Sequence, residues 1–96
     1  ENFNLRKLDM AIAQYNRYIE IKTLYPILEY IAKKCLFNCI VFIINELKGR
    51  NMREYILIDR RIKDLYERIY NVDFDNLQIC SEEKKCVKNF LYEVIS

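Results

Sequence analysis

The sequence predicts an all-α protein, a compact bundle of about four helices at roughly 5–22, 26–48, 52–70 and 82–95. Three observations predict it. One glycine and one proline in 96 residues leave almost no helix breakers, so the connections between elements are short. Apolar residues recur three and four apart along most of the chain, the spacing of a helix face. No run alternates apolar and polar residues as a half-buried strand does. Residues 1–96 read as a single helical domain, long enough for one modest core.

The first helix is marked by Leu5, Leu8, Ile12, Tyr15 and Ile19, which share one face. Asn4 is placed to cap it, and Phe3 to pack on Leu8 as a hydrophobic staple. Arg6 and Lys7 oppose the helix dipole there, a small cost. Pro26 starts the second helix, because a first turn has no partner for the N–H that proline lacks. Thr23 or Tyr25 falls near its cap, and Gly49 ends it by taking the left-handed backbone conformation. Between them Leu28, Ile31, Cys35 and Phe42 line one face, and Ala32, Leu36, Ile40, Ile43 and Leu47 another. A helix apolar on most sides is expected at the centre of a bundle.

Asn51 with Glu54 three residues on resembles a capping box for the third helix, whose buried stripe is Ile58, Ile62, Leu65 and Ile69. Its wet side carries four-residue charge pairs: Asp59 with Lys63, Arg60 with Asp64, Lys63 with Glu67, and Asp64 with Arg68. The fourth helix begins near Ser81. Glu82 and Glu83 suit its positive end, and Val87, Phe90, Leu91 and Val94 face inward.

Composition excludes more functions than it suggests. At 52% hydrophobic and 31% charged the chain reads as globular. Its longest apolar run, residues 35–44, is broken by Asn38 and is about half of the ~20 residues a bilayer crossing needs. Glu1, Arg6, Lys7 and Asp9 stand where a signal peptide needs an apolar segment. A chain opening on Glu rather than Met reads as a piece of a longer polypeptide. A net charge of +2 with interleaved signs is no footprint for nucleic acid. Histidine is absent, which removes the commonest general base and metal ligand.

Several stretches imitate sites. Asn71, Asp73, Asp75 and Glu82 fall at calcium-loop spacing, but Asn76 stands where such loops need glycine and Gln78 where they need an apolar residue. The same acids spell Asp73-Phe74-Asp75, an Asp-x-Asp pattern, with no strand before it to converge the carboxylates. A solvated turn capping the next helix is the preferred reading. Cys35, Cys39, Cys80 and Cys86 lack the tight Cys-x-x-Cys knuckles of structural zinc sites and read as core packing in a reducing cytoplasm, with a Cys80–Cys86 disulfide as the alternative. The doublets Lys33-Lys34, Arg60-Arg61 and Lys84-Lys85 read as solvated charge, and the Lys48-to-Arg53 turn as a weak helix-turn-helix candidate. No catalytic, cofactor-binding or metal-binding residue is assigned. Six tyrosines, Tyr18, Tyr25, Tyr30, Tyr55, Tyr66 and Tyr70, cannot all be interior. Tyr18, Tyr25 and Tyr30 are expected in an exposed, apolar interaction surface.

The stretch "FNLRKLDMAIAQYNRYI" followed by "LYPILEYIAKKCLF" resembles the helical C-terminal region of bacterial family 2 glycosyltransferases. The features that carry the resemblance are Phe3, Leu8-Asp9, Tyr25-Pro26 and the final "NFLYEVIS". It implies that sugar transfer from a nucleotide sugar belongs to an α/β domain upstream, and that no catalytic residue lies in this chain. The implied partners are that catalytic domain, a second copy of the chain, or the inner face of the membrane on the cytoplasmic side. The implied roles are packing, acceptor placement or subunit contact. A free-standing helical interaction module is the alternative.

Overall fold

The computed structural model describes residues 5–46 and 60–95. Among them the chain forms four α-helices and no strand: α1 (Leu5–Leu24), α2 (Glu29–Glu46), α3 (Arg60–Tyr70) and α4 (Ser81–Ile95). The all-α bundle expected from the periodicity is therefore what the chain adopts. α1 lies along α2, and α3 along α4. α2 also meets α4, and α1 meets α3, so the core sits between two helical pairs.

The elements differ from their expected bounds for local reasons. α1 runs past residue 22 because the Tyr25 N–H still reaches the Ile21 carbonyl at 2.7 Å. Thr23 is thus inside α1, its hydroxyl bonded to the Ile19 carbonyl at 2.8 Å, and does not cap the next helix. Pro26 does start the second helical segment, with Tyr25 at the cap position, but it opens a 3-10 turn, Pro26–Leu28. The Leu28 N–H bonds to the Tyr25 carbonyl at 2.9 Å, and regular α-helix begins only at Glu29. Asn4, Phe3, Gly49, the Asn51–Glu54 box, Tyr55, Ile58 and the Lys48-to-Arg53 turn lie outside the described residues.

The buried face of α1 is centred on Ala11 and Tyr18, with Met10, Ile12, Tyr15 and Ile21 packed beside them. Ile19, expected in that stripe, is exposed. Tyr18 follows Ala11 by two turns and holds the face, which leaves its neighbour rotated by about 100° toward water. In α3, Leu65 and Ile69 are buried as expected, and Tyr66 joins them, edge-on to Phe90 with ring centroids 5.7 Å apart. Lys63, Asp64, Glu67 and Arg68 are on the wet side. α4 buries Val87, Phe90, Leu91 and Val94. The Cys80 carbonyl accepts the Glu83 and Lys84 N–H groups and begins the helix.

The 71–80 connection is more than a solvated turn. Leu77 is buried in the core, and Phe74 packs edge-on against Phe37 of α2 at 5.4 Å. The Leu77 N–H bonds to the Phe74 carbonyl, which turns the chain so that both side chains point inward.

Candidate interaction surface

α2 has two apolar faces, and the bundle covers one. Ala32, Leu36, Ile40 and Ile43 are buried, as their spacing predicts. Leu28, Ile31, Cys35 and Phe42 are exposed, Ile31 at 61% and Phe42 at 47%. The expectation of a helix enclosed on most sides is corrected here. Among the described residues α1 and α4 are the helices that pack along α2, and the 71–80 loop fills the flank of Phe37. The remaining side is an apolar stripe interspersed with Lys34, Asn38 and Asn45.

The three tyrosines assigned to an interaction surface separate. Tyr18 is buried at 3% exposure, which corrects its assignment. Its hydroxyl meets the Glu29 carboxylate at 3.4 Å, and Lys22 lies 5.9 Å from the centre of its ring. Burial, then the Glu29 charge, pushes the phenol up to about 12, so it stays protonated and donates to the carboxylate. Tyr25 and Tyr30 are exposed. Tyr30 has a structural task as well, because its hydroxyl accepts the Gln78 N–H at 2.9 Å.

Lys33 departs furthest from its expected place. It reads as one half of a solvated doublet, yet it is 6% exposed. Its ammonium donates to the Asn76 Oδ1 at 3.1 Å and lies 3.9 Å from Glu29. Lys33 precedes Phe37 by four positions and Ile40 by seven, a spacing that already sets it on the buried side. Lys84 is likewise committed, donating to the Asp75 carbonyl at 2.8 Å. Lys34 and Lys85 stay exposed.

The acids of the loop serve its backbone. The Asp73 carboxylate accepts the Asp75 N–H at 2.9 Å, an Asx turn. Among the described residues no group of three or more His, Cys, Asp or Glu gathers where it could hold a metal ion. Asn71, Asp73, Asp75 and Glu82 are therefore not brought together, and neither are the four cysteines. The crevice between loop and α4, lined by Tyr70, Asp73, Phe74, Lys84 and Lys88, holds about 60 Å³. Sites for small organic ligands are usually above ~300 Å³, a size reached by the two open grooves that border Cys86 and Ile44, at about 510 and 390 Å³.

Of the cysteines only Cys39 is buried; Cys35, Cys80 and Cys86 are exposed and all four are free, which corrects the reading of the set as core. Burial raises the Cys39 thiol above its ordinary value. Cys80 and Cys86 border one groove between the end of α2 and α4. A thiol-specific disulfide reagent at mildly alkaline pH is expected to modify three of the four thiols at once. Cys39 should lag by about tenfold or more, until denaturant opens the core. Peptide mass mapping of the labelled sites checks this.

No protein-family model, curated protein or solved structure matches this chain. No helix among the described residues is long and apolar enough to cross a membrane.

Proposed function

We propose that the chain is a non-catalytic helical accessory domain of a glycosyltransferase, with sugar transfer from a nucleotide sugar performed by an α/β domain upstream in the same polypeptide. The exposed stripe Leu28, Ile31, Cys35 and Phe42, running from the 3-10 turn along α2, supports the docking part of this reading, and the sequence resemblance at Phe3, Leu8-Asp9 and Tyr25-Pro26 supports the glycosyltransferase part. An apolar face on a core helix is the usual mark of a surface that another protein covers. It adjoins Tyr25-Pro26, one of the features on which the resemblance rests. On this reading the stripe packs on the catalytic domain, helps place the acceptor or joins subunits. Four free thiols suit the cytoplasm.

The isolated chain titrated with a nucleotide sugar and a divalent cation is expected to show no saturable heat. Micromolar binding counts against a non-catalytic role. The coding region upstream should read as alternating strands and helices with an Asp-x-Asp after a strand. A start codon directly before Glu1 removes the glycosyltransferase and leaves a free-standing interaction module that uses the same stripe.

A further inference from the structure

An open trough runs between the C-terminal part of α2 and the flank of α4. It consists of the two grooves that share Ile44, Glu82 and Cys86. Val41 and Ile44 of α2 and Val87 and Phe90 of α4 give it an apolar floor. Glu82, Cys86, Asn89 and Glu93 follow one another at steps of four, three and four, so they form a single ridge along α4. Glu82 and Glu93 are 11 positions apart, which is about 16 Å, or three helical turns. Ile44 follows Phe42 by two positions, about 200° around α2, so the trough and the exposed stripe face different directions.

The trough is negative in a chain whose net charge is +2. Glu82, Glu83 and Glu93 line it against one lysine, Lys85. α2 contributes no charge there, only Asn45. Two further lysines of α4 turn away: Lys84 and Lys88 line the crevice under the 71–80 loop, and Lys84 donates to the Asp75 carbonyl. All three glutamates are exposed, and none makes an ion pair among the described residues. Glu82 and Glu83 are favoured by the positive end of their helix. Glu93 is not. It stands in the last turn of α4, where an acid opposes the dipole and no basic residue offsets it. A cation arriving from outside would relieve that charge.

Shape narrows the occupant further. A small molecule needs a site that encloses most of its surface, whereas an open trough covers one side only. An amphipathic helix laid lengthwise has just one apolar side to bury. We infer that the α2–α4 trough receives a cationic amphipathic helix of a partner protein, about three turns long. Its apolar side chains rest on Ile44, Cys86 and Phe90, and its lysines or arginines meet Glu82 and Glu93. This goes beyond the accessory-domain reading and does not depend on it, because the trough and the stripe are separate surfaces.

The test uses a fluorescent, end-capped peptide of leucine, alanine and lysine, patterned as an amphipathic helix of three to four turns, and a twin with glutamate for lysine. Anisotropy is expected to show saturable binding of the lysine peptide and at least tenfold weaker binding of the twin. Glu82→Lys and Glu93→Lys should each weaken the lysine peptide about fivefold. Glu20→Lys on α1 and Ile31→Asp on the stripe should leave it unchanged. All four positions are exposed, so the helical circular dichroism of each variant should match the parent. Cys86 lines both grooves, whereas Cys35 lies on the stripe, so the bound peptide should slow alkylation of Cys86 several-fold and spare Cys35. No saturation up to about 1 mM overturns the inference, as does equal binding of the glutamate twin. If Glu20→Lys weakens binding as much as Glu82→Lys, the attraction is one of net charge and the trough is not the site. Loss of binding in Ile31→Asp, or protection of Cys35 in place of Cys86, moves the peptide to the stripe and also overturns it. None of these results touches the accessory-domain reading, which stands or falls on the nucleotide-sugar titration and the upstream coding region.

Discussion

Replacing Phe37 by alanine is expected to destabilise the chain by about 3–5 kcal/mol, while Phe42→Ala, at a side chain about half exposed, should cost less, about 1–2 kcal/mol. The two phenylalanines lie five positions apart on the same helix. Phe37 is fully buried and meets the Phe74 ring edge-on, so its removal leaves a cavity and strips the loop of its contact. Phe42 is half open to solvent on the uncovered side. Urea unfolding followed by circular dichroism reads both values. Equal costs would mean that α2 is enclosed on both faces, and the docking stripe would vanish with that result. A domain of this size is stable by only about 5–15 kcal/mol, so Phe37→Ala also tests how much margin the fold has.

Leu77→Ala should cost about 2–5 kcal/mol, an unusual sum for a residue between helices. Leu77 is as buried as the helical core residues. The polar ties around it are smaller: Asn76→Ala, which removes the acceptor of the Lys33 ammonium, should cost about 1–3 kcal/mol. Tyr30→Phe, at an exposed backbone N–H, should cost less than either. The ranking separates a loop anchored by its apolar core from one held by hydrogen bonds. Should Leu77→Ala prove neutral while Asn76→Ala is severe, the anchoring is polar instead. Amide exchange across residues 71–80 gives a second view, since loss of the anchor should accelerate it in that segment before others.

Periodicity carried the fold well where one face had one task. α4 is the clearest instance, with all four residues expected to face inward buried and its two acids in the first turn. It failed where a helix is apolar on two sides, because spacing assigns residues to faces but does not say which face the rest of the chain reaches. Spacing alone therefore sets Ile31 and Phe42 on a covered face. Residue type misled at Lys33 and Tyr18. A lysine stem and a tyrosine ring pack as apolar bodies when a partner meets their polar ends, and Asn76 and Glu29 meet these two. Neither partner can be found by counting along a helix, since Asn76 lies 43 positions away from Lys33. The open stripe, the central feature of the candidate surface, was legible only as an excess of apolar residues.

The grip of Tyr30 and Lys33 on Gln78 and Asn76 also sets a schedule. The Tyr18–Glu29 hydrogen bond closes over 11 residues, whereas those two contacts span 48 and 43. A short helical hairpin assembles within microseconds, and contacts between distant parts of a chain wait on slower chain diffusion. The α1–α2 pair is thus built to form early and to receive the 71–80 segment last, so damage to this mooring should speed unfolding more than it slows folding.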